Sequence, residues 1–325
     1  MGGALAKPSC RNRLDGGVRV KKAIRFATLR VLLLMLGTLT VCALARAQAP
    51  GDKPRQRPPG LSILIEPGAW TADSTADIES ALHDVAAQLL AATARPLEAR
   101  LLVAHNPRNP VVLYERGPNG EYRVMLHARE GQWGLFVYEF AHELCHVMSN
   151  YGATAAPENG THKTNQWFEE ALCEAASLYA LGAVAQLWEA PSAGGDWNRR
   201  AVALRRFSDQ LQAEPHRRES EELAATRWLA GRLEHLRRYP YHRDLNDVIA
   251  QALLPVFLRH PGGWGALAYL NRDPADGYNS FEQYLANWHR NCPPPHQRFV
   301  DELTATLGLG APAAQVASSA GSVPR

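Results

Sequence analysis

Residues 134–150 of the chain read GLFVYEFAHELCHVMSN and predict a strongly apolar α-helix. His142 and His146 are four residues apart, so their side chains lie one above the other on a single helix face. Glu143 follows His142 directly and points beside the same site. This H-E-x-x-H spacing lets both imidazoles reach one metal ion, with a carboxylate next to it.

A metal ion bound by such a motif supplies chemistry that side chains lack at neutral pH. It lowers the pKa of a bound water molecule to about 7. The carboxylate of Glu143 can take the proton from that water and return it to a leaving amine. The motif is short enough to arise by chance, and the competing interpretation is a buried helix whose histidines bond to backbone groups.

The segment NQWFEEALCE, residues 165–174, predicts a second helix that offers a third metal ligand. Catalytic zinc takes three protein ligands and a water, and a carboxylate from this helix would complete the set. Glu170 and Glu174 share one helix face, whereas Glu169 is turned away by about 100°. One acid of that pair can bind the metal while the other holds a ligand histidine. The alternative is a solvated acidic face, but the surrounding apolar residues indicate burial.

These two helices resemble those of the gluzincin metallopeptidases, whose signature is H-E-x-x-H on one helix and a glutamate ligand on the next. Residues 167–174, WFEEALCE, are similar to the W-x-x-E-G-x-x-E form of many such enzymes, with Ala171 where glycine is frequent. The resemblance implies a peptidase fold in which residues 122–127 form the edge strand that aligns the substrate. It also assigns the site residues: His142, His146 and Glu170 bind Zn2+, Glu143 is the general base, and Glu174 supports His142 or His146.

The same resemblance implies a downstream His or Tyr that stabilises the tetrahedral oxyanion. Tyr241 and His242 are the candidates, because they lie about where related enzymes carry this donor. The alternative for both is a loop residue at a helix boundary. The G-x-M-E-N motif of the related aminopeptidases is absent from the sequence, which favours an endopeptidase over an aminopeptidase.

Working outward from the two helices, the sequence predicts an α+β fold. It has a small mixed sheet with the active-site helix, followed by a mainly helical C-terminal region. Short apolar runs predict strands at 61–65, 100–104, 111–114 and 122–127. Asn119-Gly120 predicts a hairpin between the last two. Helical spacing recurs at 76–93, 166–188, 197–213, 220–238, 244–259 and 281–289. We therefore expect a zincin-like metallopeptidase domain at 61–188, a helical region at 189–308 and a disordered tail at 309–325.

Residues 1–47 carry the pattern of a signal peptide. The basic stretch RVKKAIRFATLR runs into residues 31–45, which carry no charge. As a helix this apolar run is about 22 Å long, shorter than the roughly 30 Å hydrocarbon core. The sequence therefore predicts export to the periplasm or the medium, with cleavage after Ala47. Membrane attachment through an uncleaved segment or a lipid on Cys42 is the alternative. The prolines of residues 48–60 predict an extended linker.

The composition of the 325 residues, 46% hydrophobic and 21% charged, excludes a disordered or fibrous chain. The net charge of +3 arises in the signal segment, which holds nine of the 35 basic residues and one of the 32 acidic ones. The remainder is mildly acidic, so no nucleic-acid partner is expected. Cys145 and Cys173 are expected to be buried free thiols, with a disulfide between the two helices as the alternative.

The function expected from these features is zinc-dependent hydrolysis of a peptide or protein substrate by an exported metallopeptidase. The first alternative is a catalytically silent scaffold of the cell envelope that keeps the fold and the zinc. The second is a helical interaction module with an accidental motif, which would bind no stoichiometric metal. The oligomeric state is left open.

Overall fold

The computed structural model describes residues 57–67, 70, 75–91, 93, 96–129, 131–158, 160–220 and 228–310. All of them belong to one compact unit. The predicted signal peptide at 1–47, most of the linker at 48–60 and residues 311–325 of the tail lie outside the described residues.

A mixed sheet of four strands precedes the helices that carry the candidate metal ligands, as predicted. The strands are β1 (Leu61–Ile65), β2 (Ala99–His105), β3 (Val111–Val112) and β4 (Tyr122–Leu126). Their order is β1-β2-β4-β3, with β3 antiparallel to β4 and the other two pairs parallel. Helix α1 (Thr75–Leu90) connects the parallel strands β1 and β2. The predicted hairpin is confirmed, and Gly120 at its turn has a φ of 78°, which glycine adopts without a Cβ clash.

The edge strand differs from the expectation. The strand near residues 122–127 was expected at the edge, but β4 lies between β2 and β3. The two-residue strand β3 forms the edge instead, because β4 pairs on both sides. The strand expected at 111–114 is therefore present in part, but the order of strands in the sheet depends on pairing between distant segments.

Seven further helices complete the described fold. They are α2 (Trp133–Met148), α3 (Gln166–Glu189), α4 (Gly195–Gln212), α5 (Trp228–Arg238), α6 (Arg243–Arg259), α7 (Phe281–Asn291) and α8 (Pro294–Thr306). The predicted helices are confirmed, although residues 221–227 of the one at 220–238 lie outside the described part. Helix α8 was not predicted, since the helical spacing recognised in the sequence ends at residue 289. Its first two residues are Pro294 and Pro295. They occupy the first turn, where the missing N–H has no helical partner.

Helix α3 runs through the centre of the fold. It packs against α2, α4 and α6, and one hydrophobic core extends from Leu61 to Leu307. This core continues across residues 188 and 189, the boundary expected from the sequence. Among the described helices α3 alone is long and apolar enough to cross a membrane, and 72% of the window concerned is buried inside the protein. This degree of burial is typical of a core helix. Helix α3 therefore places the acidic residues of the site in the interior.

Candidate metal centre

The three predicted ligands meet where α2 packs on α3. The Nε2 atom of His142 lies 3.2 Å from one carboxylate oxygen of Glu170, and the Nε2 atom of His146 lies 3.6 Å from the other. The two imidazole rings stand 5.1 Å apart, centroid to centroid. Gln166, one turn earlier on α3, donates a 2.8 Å hydrogen bond to Glu170 and orients its carboxylate.

The spacing of these donor atoms fits a zinc ion. Zinc–ligand distances of about 2.0–2.2 Å in a tetrahedral site place neighbouring donor atoms about 3.3 Å apart. The distances of 3.2 Å and 3.6 Å, each from one histidine nitrogen to a different oxygen of Glu170, lie on either side of this value. Two imidazoles and one carboxylate are also the donor set that leaves a fourth position for water.

Cys173 is a second candidate for the third ligand. A donor atom of Cys173, His142 and His146 can all lie within 4.8 Å of one another. Burial raises the pKa of the Cys173 thiol well above its usual value, and a hydrogen bond with Cys145 and nearby carboxylates raise it further. Metal ions bind the thiolate, which these surroundings disfavour. The donor chemistry therefore favours Glu170. All three described cysteines are free and buried, so no bridge joins Cys145 to Cys173.

The charges around the three donors attract positive charge. Burial lowers the pKa of His146, but the negative charge of Glu170 and hydrogen bonds to Glu169 and Glu170 raise it well above its usual value. The pKa of His142 is raised in the same way, mainly by a hydrogen bond to Glu170. The pKa of Glu170 is lowered by both histidines despite its burial. Protons or a divalent cation can supply the positive charge, and a cation displaces the protons.

Glu143 lies beside the three donors, as predicted. It is buried, and one oxygen of its carboxylate accepts a 2.7 Å hydrogen bond from the backbone N–H of Val112, on edge strand β3. Burial is the main cause of a raised pKa for this carboxyl group. A general base works best when its pKa lies closer to neutrality. The structure therefore links the proposed base both to the donors and to the sheet edge.

The acid that supports a histidine is Glu169, not Glu174. Glu169 is only 1% exposed and lies 3.1 Å from Nδ1 of His146. Lys163 (2.8 Å) and Asn271 (3.0 Å) both donate to its other oxygen. The prediction for Glu174 is wrong because α3 lies with Glu169 and Glu170 on either side of its contact with His146. The adjacent Glu169-Glu170 pair was the available signal in the sequence.

Glu174 belongs to a separate ionic network one helix turn away. It accepts hydrogen bonds from the hydroxyl of Tyr138 and, at 2.9 Å, from Arg217. The guanidinium of Arg217 is buried and also contacts Asp247 at 3.1 Å and Glu214 at 3.0 Å. This network ties the 3-10 segment Pro215–Glu219 and helix α6 to α3. Glu174 and Asp247 also line the cleft described next, so this network fixes one of its sides.

A cleft of about 520 Å³ opens onto the donors and has β3 along one side. Tyr241 lines this cleft, whereas His242 does not. The ring of His242 lies 5.1 Å from that of His235 on α5 instead. Partial burial and the charge of Glu170 raise the pKa of Tyr241 to about 12, which keeps its hydroxyl protonated. Of the two predicted oxyanion donors, the structure brings only Tyr241 to the site.

The proposed ligands and the proposed base thus lie together, and Tyr241 lines the cleft beside them. The side chains of His242 and Glu174 contact other residues. Sequence reasoning missed Glu169, Lys163, Asn271 and Gln166. Comparison of the chain with protein families, curated proteins and solved structures gives no match.

Proposed function

We propose that this protein is a zinc-dependent peptidase. The observation that carries the proposal is the convergence of His142, His146 and Glu170 at donor spacings that suit zinc, with Glu143 beside them in an open cleft. When bound, the zinc would polarise a carbonyl group and lower the pKa of water. Export remains part of the proposal through the signal pattern of residues 1–47.

The protein's own groups have distinct parts in this reaction. Glu143 accepts the proton of the attacking water and returns it to the leaving amine. The Val112 N–H fixes one oxygen of that carboxylate, so the group is already oriented before substrate arrives. The protonated hydroxyl of Tyr241 donates a hydrogen bond to the oxyanion that develops on the carbonyl oxygen.

The position of β3 supports a peptide as the substrate. Its residues Val111 and Val112 line the cleft beside the donors, at the edge of the sheet. An extended peptide can add to such an edge through backbone hydrogen bonds. It would use groups other than the Val112 N–H, which is already donated to Glu143. We favour internal cleavage over removal of the amino-terminal residue, since the sequence lacks the motif by which related aminopeptidases bind a free amino terminus.

Metal content and cleavage of a peptide library test the proposal together. We expect one zinc per chain in the wild type and in Glu143→Gln, because this residue is not a ligand. Turnover should fall by about 10²–10⁴-fold in Glu143→Gln, the usual contribution of a general base. Glu282→Gln removes an exposed carboxylate on α7 and serves as the matched control, with unchanged turnover.

The other outcomes have definite meanings. Protein purified without chelator that holds only a small fraction of one zinc per chain would refute the metal site and favour an accidental motif. Stoichiometric zinc with no cleavage by either the wild type or Glu143→Gln would favour the catalytically silent scaffold.

A further inference from the structure

We propose that Arg243 binds a carboxylate group of the substrate, beside the metal centre; the inference rests on the proposed peptidase function. Arg243 is the first residue of α6 and lines the cleft. Its Nη2 atom donates a 3.0 Å hydrogen bond to the hydroxyl of Tyr138. Within the part of the chain that the structure describes, no carboxylate lies within 4.0 Å of its guanidinium. A fixed cation therefore faces the cleft with donors to spare.

The other charged groups on this side of the cleft already have partners. The carboxylates bond as follows: Glu139 to the backbone N–H groups of His127 and Ala128, Glu174 to Tyr138 and Arg217, and Asp247 to His216 and Arg217. These three acids are 2–4% exposed, so a ligand meets little of them. Among the described residues that line this side of the cleft outside the proposed metal centre, Arg243 is the charged group that is left to meet a substrate.

The chemistry of the side chain selects the ligand. A guanidinium presents five N–H donors in a planar fork, and this fork matches the two oxygens of a carboxylate. One donor is used by Tyr138, whose hydroxyl in turn donates to Glu174. That chain of hydrogen bonds anchors Arg243 to α2 and α3, so little side-chain freedom is lost when an anion binds.

The distance to the proposed zinc limits where the carboxylate can stand in the peptide. Tyr138 precedes His142 by one helix turn, and Glu174 follows Glu170 by one turn, which corresponds to about 6 Å along each axis. An extended peptide advances about 3.3 Å per residue. Arg243 contacts this turn through the hydroxyl of Tyr138, so the carboxylate belongs to a residue near the carbonyl that reacts. It is either the C-terminal carboxylate of a short product or the side chain of Asp or Glu.

Binding in a Glu143→Gln background tests this inference without turnover. Zinc-loaded protein is titrated into four hexapeptide mixtures. The peptides are randomised over neutral residues and carry an uncharged fluorophore. The first mixture ends in a free carboxylate and the second in an amide. The third and fourth end in an amide and contain one central Glu or Gln. Fluorescence anisotropy measures the affinity for each.

We expect at least one carboxylate mixture to bind about 10-fold more tightly than its neutral partner, as a charge-assisted hydrogen bond allows. Adding Arg243→Gln should abolish this preference and leave the neutral mixtures unchanged, while Arg243→Lys should keep part of it. Arg238→Gln, an exposed residue on α5, controls for the loss of one positive charge. The free carboxylate and the Glu mixtures distinguish the two sources of the group.

The inference is overturned if no mixture binds, if the parent shows no carboxylate preference, or if Arg243→Gln weakens acid and neutral mixtures equally. Failure of the proposed function has a different signature. In that case the protein with Glu143 intact cleaves none of the peptides, although the carboxylate preference in binding still depends on Arg243.

Discussion

Glu169→Gln removes one charge from the interior and separates the two tasks of this residue. Glu169 pairs with the buried ammonium of Lys163 at 2.8 Å and with the ring of His146 at 3.1 Å. Burial alone would raise the pKa of Glu169, but Lys163 and His146 lower it, so the carboxylate is ionised at neutral pH. The glutamine has the same shape and lacks the charge.

The expected loss follows from the burial of Lys163. Its side chain is 4% exposed, and without Glu169 it keeps a hydrogen bond to the carbonyl oxygen of Tyr151 as compensation. Removing one partner of a buried ion pair costs about 3–5 kcal/mol. Net stabilities of proteins are about 5–15 kcal/mol, so the variant should fold with a much reduced margin. Zinc affinity should fall by about 10–100-fold, since His146 loses the carboxylate that orients it.

Urea unfolding of the metal-free protein and zinc competition with a chromophoric chelator measure the two effects. Glu189→Gln is the matched control, because Glu189 lies on the same helix in an exposed pair with Arg205 and should contribute little. The double variant Glu169→Gln with Lys163→Met leaves no unpaired buried charge. It should recover much of the stability and none of the zinc affinity.

Two results would refute this reasoning. If Glu169→Gln and Glu189→Gln have the same unfolding free energy, the pair with Lys163 does not contribute as its burial suggests. If the zinc affinity of Glu169→Gln equals that of the wild type, Glu169 does not support His146.

Two further predictions concern the cleft and the response to pH. Tyr241→Phe should lower kcat by about 10²–10³-fold with little change in KM. His242→Ala should leave kcat unchanged. Equal effects of the two variants on kcat in peptide cleavage would reject the assignment of Tyr241. In the metal-free protein the pKa values of His142 and His146 are raised, so their stabilisation is complete below the unfolded-state pKa of about 6.5 and is lost as pH rises through the folded-state values. The unfolding free energy should therefore fall above that pH. Zinc binding near pH 7 should release protons, which calorimetry in two buffers of different ionisation enthalpy measures. Uptake of protons on zinc binding would contradict this prediction.

Features that depend only on residues close together in the chain could be predicted from the sequence. Residues four apart on a helix share a face whatever surrounds them, so the pairing of His142 with His146 needed no tertiary information. The Asn-Gly turn predicted the β3–β4 hairpin for the same local reason. Prolines were the exception, because Pro294 can begin a helix as well as end one.

The role of each acid on α3 depended on packing. Local geometry showed that Glu169 and Glu174 point in different directions, but not which of them faces His146. The rotation of α3 is set by the core that it shares with α2, α4 and α6. Asn271, which donates a hydrogen bond to Glu169, lies 102 residues further along the chain.

By itself the sequence determined the two helices that carry the candidate ligands and the mixed sheet before them. It also identified His142, Glu143, His146 and Glu170 as candidates. Only the tertiary structure decided that Glu169 contacts His146, that β3 is an edge strand and that Arg243 lines the cleft with no described carboxylate within 4.0 Å. The physical reason is that helix and turn geometry is a property of consecutive residues. Contacts between distant segments depend on how all the side chains of the core fit together.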